Sequence, residues 1–119
     1  KRDEAWVGYL LNADADPNLA GPNGETPLIL ASRMGLTTVV EWLLGMGAKV
    51  DAGNRMGETA LIIAVQQRKE AAVKLLLEAG ANPDKPDAAA GYSARDYARR
   101  DTRSPQILRL IEAAKPAAR

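Results

Sequence analysis

The sequence predicts an all-α solenoid, a stack of helix-turn-helix units joined by hairpin-like loops. Three observations carry this. The chain repeats itself at a spacing of 33 residues, and a fixed period of that order is what stacked supersecondary units leave in a sequence. Its apolar residues, 46% of the total, are mostly Ala and Leu, with no Phe, two Trp and three Tyr. That palette suits closely packed helices better than a β-sandwich, which draws on β-branched and aromatic residues. Helix start and stop residues recur in step with the period. At 119 residues the chain has room for one domain and not for two ordinary ones.

The repeat is read directly. Gly24-Glu25-Thr26-Pro27-Leu28-Ile29 returns 33 residues later as Gly57-Glu58-Thr59-Ala60-Leu61-Ile62. The same offset maps Ala31 to Ala64, Val40 to Val73, Leu43-Leu44 to Leu76-Leu77, Gly47-Ala48 to Gly80-Ala81 and Asp51 to Asp84. Backwards it maps Leu43-Leu44 to Leu10-Leu11 and Ala48 to Ala15. Forwards the offset becomes 34, pairing Gly57-Glu58-Thr59-Ala60 with Gly91-Tyr92-Ser93-Ala94, and the extra residue falls in Asp87-Ala88-Ala89-Ala90. The expected division is a single domain over 1–119: a partial first unit at 1–20, full units at 21–53 and 54–86, and a C-terminal cap at 87–119.

Within a unit, each element has a local cause. Thr26, Thr59 and Ser93 supply hydroxyl N-caps, and Pro27 takes the first helical position, where a missing N–H costs nothing. A first helix over about 27–34 follows, with Leu28 and Ala31 on one face. Gly35 permits a left-handed stop. A second helix over about 37–46 turns Val40, Leu43 and Leu44 inward, and Gly47 ends it. The loop to the next unit is rich in Asp, Asn and Gly, suited to a hairpin-like turn. In the last unit Ser104 caps and Pro105 starts the second helix. If Leu44 and Leu77 are buried, Leu44→Ala or Leu77→Ala costs roughly 2–5 kcal/mol.

These residues resemble the ankyrin repeat: Gly-x-Thr-Pro-Leu-x-x-Ala, then Val-Val-x-x-Leu-Leu-x-x-Gly-Ala, then Asp or Asn, over nearly the whole chain. Three departures stand out. Where the family's pattern carries His after Thr-Pro-Leu, this chain has Ile29, Ile62 and Asp96, so apolar packing replaces that His's side-chain hydrogen bonds between units. Arg68 occupies the inter-helix position of Gly35, which predicts a strained or reshaped turn. Arg95 replaces the core Leu of Leu28 and Leu61, as suits a terminal unit whose outer face meets water.

The zeros exclude chemistry. With no Cys there is no disulfide, thiolate nucleophile or Cys-ligated zinc. With no His the usual general base, the Ser-His-Asp arrangement and the commonest metal ligand are gone. The net charge of +1 conceals an asymmetry. From Arg95 onward seven basic residues face three acidic ones, a +4 cap on a −3 body. No apolar run approaches the roughly 18 residues of a membrane span, and no signal peptide is visible. The chain opens on Lys1 and not Met, which reads as processing, trimming or excerpting.

Several patterns have an ordinary explanation beside a sharper one. Asp14-x-Asp16-x-Asn18 with Glu25 imitates a calcium loop, but Leu19 stands where Gly belongs, and the repeat accounts for Asn18 through Asp51 and Asp84. Glu25 and Glu58 are aligned carboxylates, read as helix-start residues near a positive dipole end in preference to an acid–base pair. Gly45-Met46-Gly47-Ala48-Lys49 is read as a helix stop in preference to a phosphate loop. Tyr9, Trp42, Leu75 and Arg109 form a ladder along the second helices, as inter-unit packing or an aromatic docking patch. Trp6, Val7, Leu10 and Leu11 form a face whose cover is missing, either a self-association site or a product of where the chain was cut. The basic cap is read as solvated and not as a nucleic-acid site.

What the resemblance implies is a non-catalytic protein-interaction module, with no cofactor and no bound metal. Its partner is an unidentified protein, met by the hairpin tips and the exposed face of each first helix. The contact residues expected are Pro22, Asn23, Glu25, Arg33 and Met34, then Arg55, Met56, Glu58, Gln66 and Gln67, then Ala89, Tyr92, Arg99 and Arg100. Met34 and Met56 are expected to face solvent, and Met, Arg and Tyr are enriched at interfaces. The alternatives are a structural segment of a larger solenoid continuing before Lys1, a self-associating scaffold, or an enzyme working from carboxylates and Lys alone. Composition suits a soluble protein of cytoplasm or periplasm, and its Ala/Arg-rich style is associated with a bacterial source.

Overall fold

The structure is a computed structural model that describes residues 16–114. The Trp6, Val7, Leu10 and Leu11 face, Tyr9 and Asp14 therefore lie outside the described residues. Six helices follow one another: α1 (Pro27–Met34), α2 (Thr37–Gly45), α3 (Ala60–Gln66), α4 (Glu70–Glu78), α5 (Ala94–Arg100) and α6 (Pro105–Ala113). A 3-10 turn at Pro22–Gly24 precedes them. No strand forms among the described residues; a lone antiparallel bridge joins Gly53 to Thr59.

The caps explain the starts. Thr26 Oγ1 accepts from the Ile29 N–H and Thr59 Oγ1 from the Ile62 N–H, each at 3.2 Å. Ser93 does more than its hydroxyl predicts. It accepts from the Asp96 N–H at 3.2 Å, and the Asp96 carboxylate accepts from the Ser93 N–H at 3.0 Å, closing a capping box. Asp96 thus has a local role at the position of Ile29 and Ile62. Ser104 corrects the expectation for α6: its hydroxyl makes no capping bond, although the residue is buried and precedes Pro105.

The stops of α1 to α4 follow a Schellman pattern, whereas α5 and α6 end on extended residues. Gly35 is left-handed at φ 71°, with the Leu36 N–H reaching the Ala31 carbonyl at 2.9 Å. Arg68 keeps the same geometry at φ 56°, with the Lys69 N–H reaching Ala64 at 2.9 Å. The turn is therefore strained and not reshaped, at a cost of about 1–2 kcal/mol for a side-chain-bearing residue. Its guanidinium Nε meets Asp101 Oδ2 at 2.7 Å, tying the end of α3 to the end of α5. At the end of α2, Met46 occupies the cap position and Gly47 is left-handed at φ 95°.

Pairing of the helices gives two layers. α1, α3 and α5 pack side by side in one, α2, α4 and α6 in the other, and each helix pair closes on itself. The core between them is Leu, Ile, Val and Ala, including Leu28, Leu61, Val40 and Val73. Ile29 and Ile62 are fully buried, so apolar side chains fill the positions lacking His. Leu43 and Leu76 are also fully buried, whereas Leu44 and Leu77 are only partly covered at the core's edge. This corrects the expectation of a shared inward face: the adjacent leucines sit about 100° apart around the helix and one alone points to the centre. Arg95 is half-exposed, its Nε held by Asp84 Oδ1 at 2.7 Å. Ser32 is buried with no hydrogen-bond partner for its hydroxyl among the described residues; nothing in the structure explains it.

Candidate interaction surface

Before each first helix the chain makes a hairpin closed by backbone and side-chain hydrogen bonds. In the middle one the Asn54 N–H donates to the Glu58 carbonyl at 3.0 Å, and the Gly57 N–H to the Asn54 carbonyl at 2.9 Å. Asn54 Oδ1 also accepts from the N–H groups of Met56 and Glu58, at 2.9 and 3.0 Å. The equivalent closure in the first hairpin is the Gly21 N–H to the Glu25 carbonyl at 2.9 Å, and in the last the Asp87 N–H to the Tyr92 carbonyl at 2.9 Å.

Neighbouring hairpins are stitched together by their backbones. The Arg55 N–H donates to the Asn23 carbonyl at 2.9 Å, and one unit on the Ala88 N–H donates to the Met56 carbonyl at 2.8 Å. A second ladder runs behind them: Asn18 Oδ1 accepts from the Lys49 N–H at 2.8 Å and Asp51 Oδ1 from the Asn82 N–H at 2.9 Å. Asn18 therefore has a structural use, and among the described residues no group of three or more carboxylates is placed to hold a metal.

Glu25 and Glu58 precede the N-caps and lie outside the first helical turns, which contain no acidic residue in α1 or α3. Their placement beside the helix starts is joined by specific side-chain partners. Glu25 pairs with Arg33, from the last turn of α1, and accepts from Asn54 Nδ2 at 3.3 Å. The same amide nitrogen donates to Glu58 Oε1 at 2.9 Å, so Asn54 bridges the two carboxylates.

The last hairpin is held by a residue that the sequence reading passed over. Asp87 is buried, and its Oδ1 accepts from Ala90 and Gly91 at 2.9 Å and from Tyr92 at 3.3 Å. Its Oδ2 accepts the Tyr97 hydroxyl at 2.5 Å. Burial pushes the Asp87 carboxyl up, but the Tyr97 hydroxyl and three backbone N–H groups outweigh it and hold it below the ordinary carboxylate value. The same bond, with burial and the nearby charge of Asp87, raises the Tyr97 phenol to about 12. The signal was available: Asp87 stands 33 residues after Asn54 and does the same turn-closing work.

The sign of this coupling fixes a pH dependence. A carboxyl lowered on folding stabilises the protein above its unfolded value of 3.8, and that stability is lost as pH falls through the lower folded value. A phenol raised on folding contributes fully below its unfolded value of 10.0, and the contribution fades as pH climbs toward about 12. Tyr97→Phe is expected to cost about 1.5–3 kcal/mol at neutral pH, as loss of a hydrogen bond to a charged group. Urea melts should show that penalty shrinking as pH falls from 3.8 through the lower folded value of Asp87, and a constant penalty across acid pH would contradict the assignment.

The expected contact residues separate by exposure. Pro22, Asn23, Arg55, Met56, Gln67, Ala89, Tyr92, Arg99 and Arg100 are exposed, whereas Glu25, Arg33, Met34, Glu58 and Gln66 are half-buried. Of the two methionines expected to face solvent, Met56 is 52% exposed and Met34 is not an open side chain. Tyr92, 38% exposed, joins its hairpin to α5: the Arg100 guanidinium lies 4.6 Å over its ring centroid, and Tyr97 meets it edge-on at 5.6 Å. Trp42 and Arg109 are exposed on α2 and α6, with Leu75 between them half-buried on α4.

Two layers of helices under a ladder of stitched hairpins, with each unit resting on the next, define a repeat solenoid. The family model for ankyrin repeats (3 copies) matches residues 2–87. The chain belongs to the ankyrin repeat family. No curated protein matches the chain. Ankyrin repeats are generally protein–protein interaction modules and generally non-catalytic. No helix among the described residues is long and apolar enough to cross a membrane.

Proposed function

We propose that the chain is a non-catalytic module that binds a partner protein through its hairpin tips and the exposed face of α1, α3 and α5. The observation carrying this reading is the backbone stitching of consecutive hairpins from Asn23 to Arg55 and from Met56 to Ala88. It supports a surface already in its binding shape, so that little ordering entropy is lost on docking. Exposed Met56 and Tyr92, beside Arg55 and Arg100, have the composition of an interface centre. The division into a partial unit at 1–20, full units at 21–53 and 54–86 and a cap at 87–119 belongs to the same proposal. Half-exposed Arg95 and the solvated α5 face support the capping role.

The test is affinity capture from the source cell with an Arg55→Ala/Met56→Ala double variant as control. Both side chains are exposed, so the variant should melt within about 0.5 kcal/mol of the parent. Capture should be lost. Capture that survives the double change contradicts the surface.

A further inference from the structure

We infer that the partner presents an acidic protein segment carrying an apolar side chain, and that its carboxylates are read by Arg55, Arg99 and Arg100. This deepens the interaction reading above and rests on it. One pair of positions changes character along the stack. Glu25 and Arg33 correspond, at offset 33, to Glu58 and Gln66, and at a further 34 to Tyr92 and Arg100. In the first unit the two residues form an ion pair, and Arg33 is neutralised. In the last unit an aromatic ring stands where the carboxylate would, and Arg100 rests on that ring at 4.6 Å. A ring face orients a guanidinium without neutralising it, leaving the edge N–H groups for an incoming anion, with Asp96 near enough to feel the charges of Arg99 and Arg100 without pairing with either.

The remaining charges of the hairpins and α5 point the same way. Asn54 binds both Glu25 and Glu58, Asp87 accepts four donors, and Asp96 is held by the Ser93 N–H and hydroxyl at 3.0 Å. Each of these carboxylates is thus occupied within the protein. Arg55, Arg99 and Arg100 are exposed and make no ion pair among the described residues. The middle hairpin and α5 therefore offer cations, with Met56 as an apolar contact. Their complement is a chain of carboxylates around an apolar side chain. Nucleic-acid phosphates would satisfy the cations, but Tyr92 is a poor stacking platform. Arg100 covers its ring, and Tyr97 packs against it edge-on.

Panning a random peptide library against the full chain tests this. Anisotropy titrations of the enriched peptides and of a labelled oligothymidylate would follow, at about 50 and 300 mM salt. Enrichment of acidic peptides with one apolar anchor is expected. Their binding should weaken with salt, and by about tenfold or more in an Arg55→Gln/Arg99→Gln/Arg100→Gln variant of unchanged melting temperature. Neutral or basic winners, or acidic ones indifferent to the triple change, would overturn the acidic assignment and leave the interaction module standing. Oligothymidylate bound as tightly as any peptide, with the same arginine dependence, would overturn it in favour of nucleic acid. Failure of every peptide to enrich would count against the interaction reading as well.

Discussion

Leu76→Ala is expected to lower unfolding free energy by about 3–4 kcal/mol, whereas Leu77→Ala, one residue on, should cost less than half as much. Leu76 is fully buried in α4, the helix that packs on α3 within its unit and on α2 and α6 across units. Its truncation leaves a cavity where three interfaces meet, and close-packed surroundings collapse only partly. Leu77 lies at the core's edge, where solvent and neighbouring side chains take up the lost volume. The pair separates a core defect from a generic loss of helix hydrophobicity, because both residues are Leu in one helix. Urea denaturation of the two variants reads the difference, and equal costs would mean that the helix is rotated from the orientation described.

Gly57→Ala should have the second largest effect, roughly 2–3 kcal/mol. Gly57 sits at φ 76°, and an added Cβ would lie 2.7 Å from the Ala88 nitrogen and 3.2 Å from its Cβ. The obstacle is backbone and cannot swing aside, so the substitution adds a clash to the ordinary left-handed penalty. That nitrogen is also the donor to the Met56 carbonyl, so relief of the clash breaks the stitch between hairpins. Gly80→Ala is the matched control: φ is 92°, but nothing lies within 4 Å of the new Cβ. It should show only the conformational cost, about 1 kcal/mol. Thermal melts of the two variants check this, and equal destabilisation would remove the hairpin contact from the account.

Helix starts were legible because their causes are local. Thr26, Thr59 and Ser93 each bond a backbone N–H three residues ahead, and such a bond needs no tertiary partner. The left-handed stop at Gly35 was legible for the same reason, and the repeat carried it to Arg68. Rotation of the second helices was not. Period alone aligns Leu43-Leu44 with Leu76-Leu77, but which of two adjacent leucines is buried depends on how the layers cross. Ser104 looked like a cap beside Pro105, yet its hydroxyl makes no capping bond.

The surface was legible in outline and misread in its charges. Glu25 is occupied by Arg33, eight residues on, and by Asn54 of the next hairpin, which also holds Glu58 within its own hairpin, and only folding brings these side chains together. The Tyr97 bond to Asp87 crosses ten residues between a hairpin and a helix, beyond any cap or turn rule. Tyr92 and Arg100 were each expected at the surface on separate grounds, and their stacking is a tertiary fact. What repetition reveals is the scaffold; what it obscures is the exception, because an exception is defined by its neighbours in the adjoining unit.

The most direct measurement is a backbone amide chemical-shift map of the chain with and without its captured partner. The account predicts shifts clustered at Arg55, Met56, Tyr92, Arg99 and Arg100, on the hairpins and α5. Shifts confined to Trp42, Leu75 and Arg109, on α2, α4 and α6, would contradict it.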